Sequence, residues 1–171
     1  KKVTITKKDL RSLGYHSWVN DEVINSYLTH LHNTHIESNI GYTNTFFYVT
    51  LKRSGNEYAN TWGGIRGNRV DIFSHFLIPI TTGAHWFLID LDFDNQVMLV
   101  YDSLSHQYSS YTKKIADFLT FQGIPPIKIV YPAVPKQTTH YDCGVFLMKF
   151  ATMIYENQPI EKNSFHQKDI T

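Results

Sequence analysis

The chain has 171 residues, 42% of them hydrophobic and 18% charged, with 16 Lys+Arg against 15 Asp+Glu for a net charge of +1. That is the composition of an ordinary globular domain and excludes intrinsic disorder, while a single Cys excludes a disulfide scaffold and a cysteine-based zinc finger and suits a reducing compartment. Basic residues gather only in pairs such as Lys7-Lys8 and Lys113-Lys114, which argues against nucleic-acid binding, and the longest apolar run, Val97 to Tyr101, falls far short of the ~20 residues of a membrane helix.

The start, Lys1-Lys2-Val3-Thr4, lacks an initiator Met and an apolar signal core, so residues 1–171 are expected to be one domain cut from a longer chain. Thr6-Lys7-Lys8-Asp9 outlines a capping box and predicts a short helix ending near Gly14. Asn20 caps a second helix over 21–32, with Asp21 and Glu22 at the positive end of its dipole and Val23, Ile24, Tyr27, Leu28 and Leu31 on one stripe. Phe46 to Leu51 fits a strand or a helix end equally well. Residues 53–69, with four glycines, read as a loop anchored by Trp62. Phe76 to Pro79 leads into a hairpin of Trp86–Phe93 and Gln96–Asp102 turned by Asp94-Asn95. A helix opens at Ser110 and stops at Gly123, Ile127 to Tyr131 reads as a short buried strand, and Asp142 caps a last helix from Cys143 to about Glu156. This order of elements predicts an α+β domain.

Chemistry concentrates at few positions. Cys143 falls in the first turn of a helix, where the dipole and free backbone N–H groups stabilise a thiolate; a lone cysteine is, on that feature alone, more commonly an inert buried thiol. His85 opens a strand whose partner ends in Asp102. With a two-residue turn Phe87 faces Asp102, so His85 and Asp102 share a sheet face as diagonal neighbours ~7–8 Å apart; a four-residue turn keeps that parity and a three-residue turn breaks it. Asp90 and Asp92 are expected to face solvent. His30, His32 and His35 place only two rings on one helical face and are expected at a solvated helix end, with no metal.

Beside these residues, His85-Trp86, Tyr101-Asp102-Ser103-Leu104-Ser105, Pro135-Lys136-Gln137 and Tyr141-Asp142-Cys143-Gly144 stand in order, preceded by Trp18-Val19-Asn20-Asp21 and Phe46-Phe47-Tyr48. The set resembles the ubiquitin-like-protein-specific cysteine proteases of the Ulp/SENP type (CE clan) over about residues 9–155. The resemblance implies a papain-like fold, a central mixed sheet flanked by helices, acting as a monomeric catalytic domain without cofactor. It implies Cys143 as nucleophile, His85 as general base and acid, Asp102 as its orienting partner and Gln137 as the oxyanion-hole side chain. Trp18 and Trp86 then cover a narrow tunnel for a C-terminal Gly-Gly, and Asp21 meets a basic patch on the modifier. The implied partner is a ubiquitin-like modifier, SUMO above all, cleaved from precursors and lysine isopeptide conjugates, in the nucleus or cytoplasm. Alternatives are a bacterial effector of the same clan acting in a host cell on ubiquitin or another modifier, an acyltransferase, or an inactive binding module. The chain departs from the family at Thr139-His140, where Asn-Gly is common and His140 is expected to crowd the pocket. Strand alternation points Trp86 away from His85, so a twist or bulge is expected there.

Overall fold

The fold is that of a computed structural model, which describes residues 4–11, 18–61 and 65–169. Its frame is a five-stranded sheet in the order β1 (Ile40–Tyr42), β2 (His75–Thr81), β3 (Trp86–Asp92), β4 (Val97–Tyr101), β5 (Lys128–Val130). The three central strands pair antiparallel, and each edge strand pairs parallel with its neighbour, which makes the sheet mixed. Strand alternation sends Leu77, Trp86, Leu88 and Tyr101 to one face, packed under α2 (Asp21–Thr34) and α5 (Cys143–Tyr155). Phe76, Ile78, Phe87, Ile89 and Val100 go to the other, under α3 (Phe47–Asn60) and α4 (Ser109–Phe121). All seven residues of β3 are buried.

Local signals set most element ends. Thr6 and Asp9 complete the capping box of α1 (Lys7–Arg11): the Thr6 N–H and Oγ1 both reach Asp9 Oδ2 at 2.7 Å. Asn20 Oδ1 accepts the Val23 N–H at 3.2 Å to cap α2, and its Nδ2 reaches Asp9 Oδ1 at 2.8 Å, tying the two helices together. The helix runs two residues past His32, where Thr34 Oγ1 bonds the carbonyls of His30 and Leu31. Gly123, at φ +82°, lets its own N–H and that of Ile124 turn back onto α4. Pro79 sits in β2 without breaking the ladder. Leu77 accepts the Thr43 N–H, so alternation turns the nitrogen of residue 79 toward the same side, beyond the end of β1.

Several expectations are corrected. Residues 53–60 are helical, not loop; the helical turns bend at Gly55, whose φ of +85° sits over open space. Gly14, Trp62, Gly63 and Gly64 lie outside the described residues. Of the two readings open for Phe46 to Leu51 the helix is found, and β5 is an exposed edge strand rather than a buried one. Asp90 and Asp92 are 1% and 5% exposed because β3 is covered on both faces. Each is compensated: His75 Nδ1 stands 3.0 Å from both oxygens of Asp90, and Asp92 accepts the Asn95 N–H and Nδ2 at 3.0 and 2.8 Å to shape the turn.

The His75–Asp90 pair generates a test. The hydrogen bond to Asp90 raises the His75 pKa against the opposing effect of burial, and burial raises that of Asp90. The folded state thus holds His75's proton to higher pH than the unfolded state. This stability is fully present below the ordinary histidine value of ~6.5 and is lost as pH rises through the raised one. His75→Leu should lower the unfolding free energy by about 1–3 kcal/mol at pH 6, with a smaller difference at pH 9, measured by urea denaturation.

Candidate active site

The β3–β4 turn decides the site. It spans residues 93–96, and Asp92 faces Val97 while Leu88 faces Tyr101. This is the register expected of the hairpin, reached with four turn residues rather than two. His85 just precedes β3 and Asp102 just follows β4, on the same face, and their side chains meet with Nε2 2.5 Å from Oδ1. The chain then wraps the carboxylate: Leu104 N–H donates to Oδ1 at 3.1 Å and His106 N–H to Oδ2 at 2.6 Å, with Ser105 at φ +60° turning the backbone inward. Although burial opposes it, these donors hold the Asp102 pKa below the usual carboxylate value. Burial would also lower His85, but its hydrogen bonds to Asp102 and Cys143 and their charges prevail and push it up to about 9.

Cys143 opens α5, and its Sγ accepts the Trp86 N–H at 3.3 Å. Here the strand supplies the answer to the alternation problem. The β2–β3 ladder runs unbroken from His75↔Asp92 to Thr81↔Trp86, so no bulge exists; His85 lies in the turn before it, free of the alternation. Trp86 therefore faces α5 while His85 still reaches Cys143. The Trp86 indole N–H donates to the Val19 carbonyl at 3.0 Å, and a Cβ on Gly144 would stand 2.9 Å from Val19 Cβ and 3.4 Å from Trp86 Cδ1. Gly144 is small because Val19 and Trp86 close over it.

Asp142 does not cap α5 through its side chain, contrary to expectation. Its backbone carbonyl takes the Phe146 N–H at 3.0 Å, while its carboxylate accepts Thr139 Oγ1 at 2.7 Å and Gln167 Nε2 at 2.8 Å, bracing the approach to Cys143. Gln137 is buried, its N–H on the Ser103 carbonyl at 3.1 Å and its Nε2 on the Thr139 carbonyl at 2.7 Å. The Thr139 carbonyl fixes the amide orientation, Ser103 Oγ donates to Gln137 Oε1, and one Nε2 hydrogen has no acceptor among the described residues. Sequence reading passed over His106 and gave Ser103 and Val19, though they stand inside the quoted motifs, no role; spacing carries no signal for contacts 34 and 67 residues apart.

Trp86 is 6% exposed and Trp18 43%, so Trp18 is not core packing. Asp21 lies half-buried in the first turn of α2. His140 is exposed with its ring against Tyr141 rather than in the pocket. His32 lies half-buried between Tyr42 and Tyr155, and His35 Nδ1 stands 2.8 Å from the Leu31 carbonyl, so neither ring is simply solvated. Among the described residues, His85, Asp102 and His106 gather ligand atoms within 4.8 Å, as do His75, Asp92 and Asp94. The 2.5 Å between His85 and Asp102 is a hydrogen-bond distance, shorter than the ~3.3 Å between two ligands of one tetrahedral ion. Thiol, imidazole and carboxylate in this order can perform nucleophilic acyl chemistry.

Residues 17–171 match the family described as the Ulp1 protease family, C-terminal catalytic domain. Human sentrin-specific protease 2 is 31% identical over 93% of this chain and 29% of its own length. Human sentrin-specific protease 3 is 28% identical over 99% of this chain and 30% of its own length. The chain thus spans under a third of the curated relatives it matches. The C-terminal Ulp1 protease domain solved in complex with Smt3, the yeast ortholog of SUMO, shares the fold with a TM-score of 0.85 at 21% identity, covering 98% of this chain and 78% of that one. The Xanthomonas campestris effector XopD, solved bound to ubiquitin, shares it with a TM-score of 0.67 at 17% identity, over 84% and 77%.

The close packing at Gly144 predicts a coupled pair. Gly144→Ala should destabilise the fold by about 1–3 kcal/mol through overpacking, and Val19→Ala in the same molecule should recover part of that loss. Strict additivity in a double-mutant cycle by thermal or urea unfolding would contradict it.

Proposed function

The chain belongs to the Ulp1 protease family, and on that premise we propose that it is a cysteine protease cutting after the C-terminal Gly-Gly of a ubiquitin-like modifier, SUMO above all. Residues 1–171 act as a single catalytic domain. One observation carries the reading: the His85 ring bonds Asp102 through Nε2 at 2.5 Å, and its proton affinity is raised by Asp102 and by the neighbouring Cys143 together, so nucleophile, base and orienting group act on one another.

The Cys143 thiol gives its proton to His85 and Sγ adds to the carbonyl carbon of the last glycine. The oxyanion so formed is met by the Cys143 N–H and the remaining Nε2 hydrogen of Gln137, held in orientation by Ser103 and Thr139. His85 hands its proton to the departing amine as the C–N bond breaks, leaving a thioester. Water, deprotonated by His85, then frees the modifier and restores the thiol. Asp102 keeps the imidazole oriented and its charged form stabilised. An isopeptide amine and a precursor peptide amine leave by the same step, so deconjugation and maturation both follow.

Trp18 and Trp86 form the two walls of the glycine slot, one exposed and one anchored to Val19. Asp21 receives a basic patch of the modifier, in addition to serving the dipole of α2. SUMO is preferred because the curated relatives matched here are named sentrin-specific proteases and the Ulp1 domain was solved with a SUMO ortholog. Ubiquitin is the second reading, on the XopD complex. The unpaired thiol suits a reducing interior, and the work is placed in the nucleus or cytoplasm. An inactive binding module has no need of Cys143, His85, Asp102 and Gln137 together.

Cys143→Ala should abolish turnover and leave modifier binding nearly intact, because most binding energy lies away from the bond that breaks. In the pH profile of kcat/KM, imidazolium is required to protonate the leaving amine, so activity falls as pH rises through about 9. Asp102→Asn, which removes the charge supporting that value, should move the alkaline limb to lower pH, whereas His140→Ala should leave it in place. A slot without room for a Cβ predicts that Ala-Gly and Gly-Ala substrates lose roughly 10- to 200-fold in kcat/KM against Gly-Gly. Trp86→Ala, and the exposed-site variant Trp18→Ala, should narrow that gap. Equal wild-type rates on all three would contradict the slot.

A further inference from the structure

Two adjoining hollows, of about 300 and 660 Å³, open beside the 102–107 loop and share Lys136 and Lys162 as their common wall. The first has an apolar floor that includes Val100, Tyr131 and Val134, with His106 on its rim; the second is lined by Phe165, His166 and Lys168. Three lysines and two histidines thus border one continuous trough in a chain whose net charge is only +1.

The carboxylates around it are engaged, with the exception of the exposed Glu161. Asp102 is the only acidic residue lining either hollow among the described residues, and its oxygens are taken by His85, Leu104 and His106. Asp142 is held by Thr139 and Gln167, and Asp169 accepts the His166 N–H at 2.8 Å; Glu161 is the exposed neighbour of Lys162 in sequence. Lys136 Nζ donates to the Asp102 carbonyl at 3.1 Å, which leaves two of its hydrogens to offer. Lys162 and Lys168 are exposed and make no ion pair within 4.0 Å among the described residues.

We propose that this trough seats an acidic segment of the protein that departs when the isopeptide bond is cut. The inference rests on the protease reading of Cys143, His85 and Asp102. In that reading the acyl half enters past Trp86 and Trp18, and the leaving amine takes its proton from His85. The His106 ring packs edge-on against the His85 ring, centroids 5.8 Å apart, and forms the near end of the trough. A carboxylate-rich stretch beside the modified lysine meets Lys136 and then Lys162 and Lys168 on leaving His85. Rim charges of this kind steer encounter and set partner preference, and salt screens them.

The test compares three substrates of one modifier: an isopeptide to a lysine peptide flanked by Glu, the same peptide with Gln, and the C-terminal coumarin amide, which has no peptide to seat. Wild type should cleave the Glu conjugate roughly 5-fold faster in kcat/KM than the Gln conjugate at low salt, with the gap closing in 0.5 M NaCl, where the Debye length falls to about 4 Å. Lys162→Gln with Lys168→Gln should remove the preference and leave coumarin amide turnover unchanged. Equal rates on Glu and Gln conjugates, or a preference that survives the double substitution, would overturn the proposal while sparing the protease reading. Equal loss on all three substrates would assign the trough to the modifier and overturn it as well. No cleavage of the coumarin amide by wild type would overturn the protease reading, and this proposal with it.

Discussion

The centre depends on the even length of one turn. Residues 93–96 return the chain so that Leu88 meets Tyr101, and only this parity sends Asp102 to the face on which His85 waits. A slip of one residue would carry the carboxylate to the α2–α5 side of the sheet and leave the imidazole without its partner. The turn is held by Asp92, whose buried carboxylate accepts both the backbone and side-chain N–H groups of Asn95. A carboxylate far from the reacting atoms thereby fixes the contact that pushes His85 up to about 9.

The nucleophile is placed by the other layer of the fold. α5 packs on β3 through Phe146, Leu147 and Phe150, and its first turn is fixed against the strand by Trp86, whose backbone holds Sγ and whose indole holds Val19. Gly144 is the point where these pieces touch, since any side chain there meets Val19. The helix start, the strand start and the segment leading into α2 therefore fix one another. Trp86, a wall of the proposed slot, bonds the thiol of Cys143, the proposed nucleophile, so the two proposed roles meet in one contact.

Features with a local cause were legible in the sequence: the capping box at Thr6, the Asn20 cap, the stop at Gly123, the start of α5 at Cys143 and the hairpin register. The resemblance to Ulp/SENP proteases added the identities of the residues around them. What was not legible had nonlocal causes. The burial of Asp90 and Asp92 depends on helices covering both faces of β3, and the hydrogen bond that makes Asp90 tolerable comes from His75, fifteen residues earlier. The exposure of β5 depends on its being the last strand of the sheet. Residues 53–60 read as loop because Gly55 is there, yet helical turns continue on either side of it once Leu51 and Ala59 find the sheet. Asp142 looked like a cap, but Thr139 and Gln167 claim its carboxylate, and Gln167 lies 25 residues further on.

The account's central claim is that Cys143, activated by His85 and Asp102, attacks the carbonyl at the end of a ubiquitin-like modifier. The most direct measurement is covalent capture by SUMO carrying an electrophile in place of the scissile carbonyl, with the adduct mapped by mass spectrometry. The account predicts one adduct, on Cys143, forming at least roughly 100-fold faster than with the same electrophile on a free Gly-Gly dipeptide, because remote binding drives the reaction. No adduct, or equal rates with and without the modifier, would contradict it.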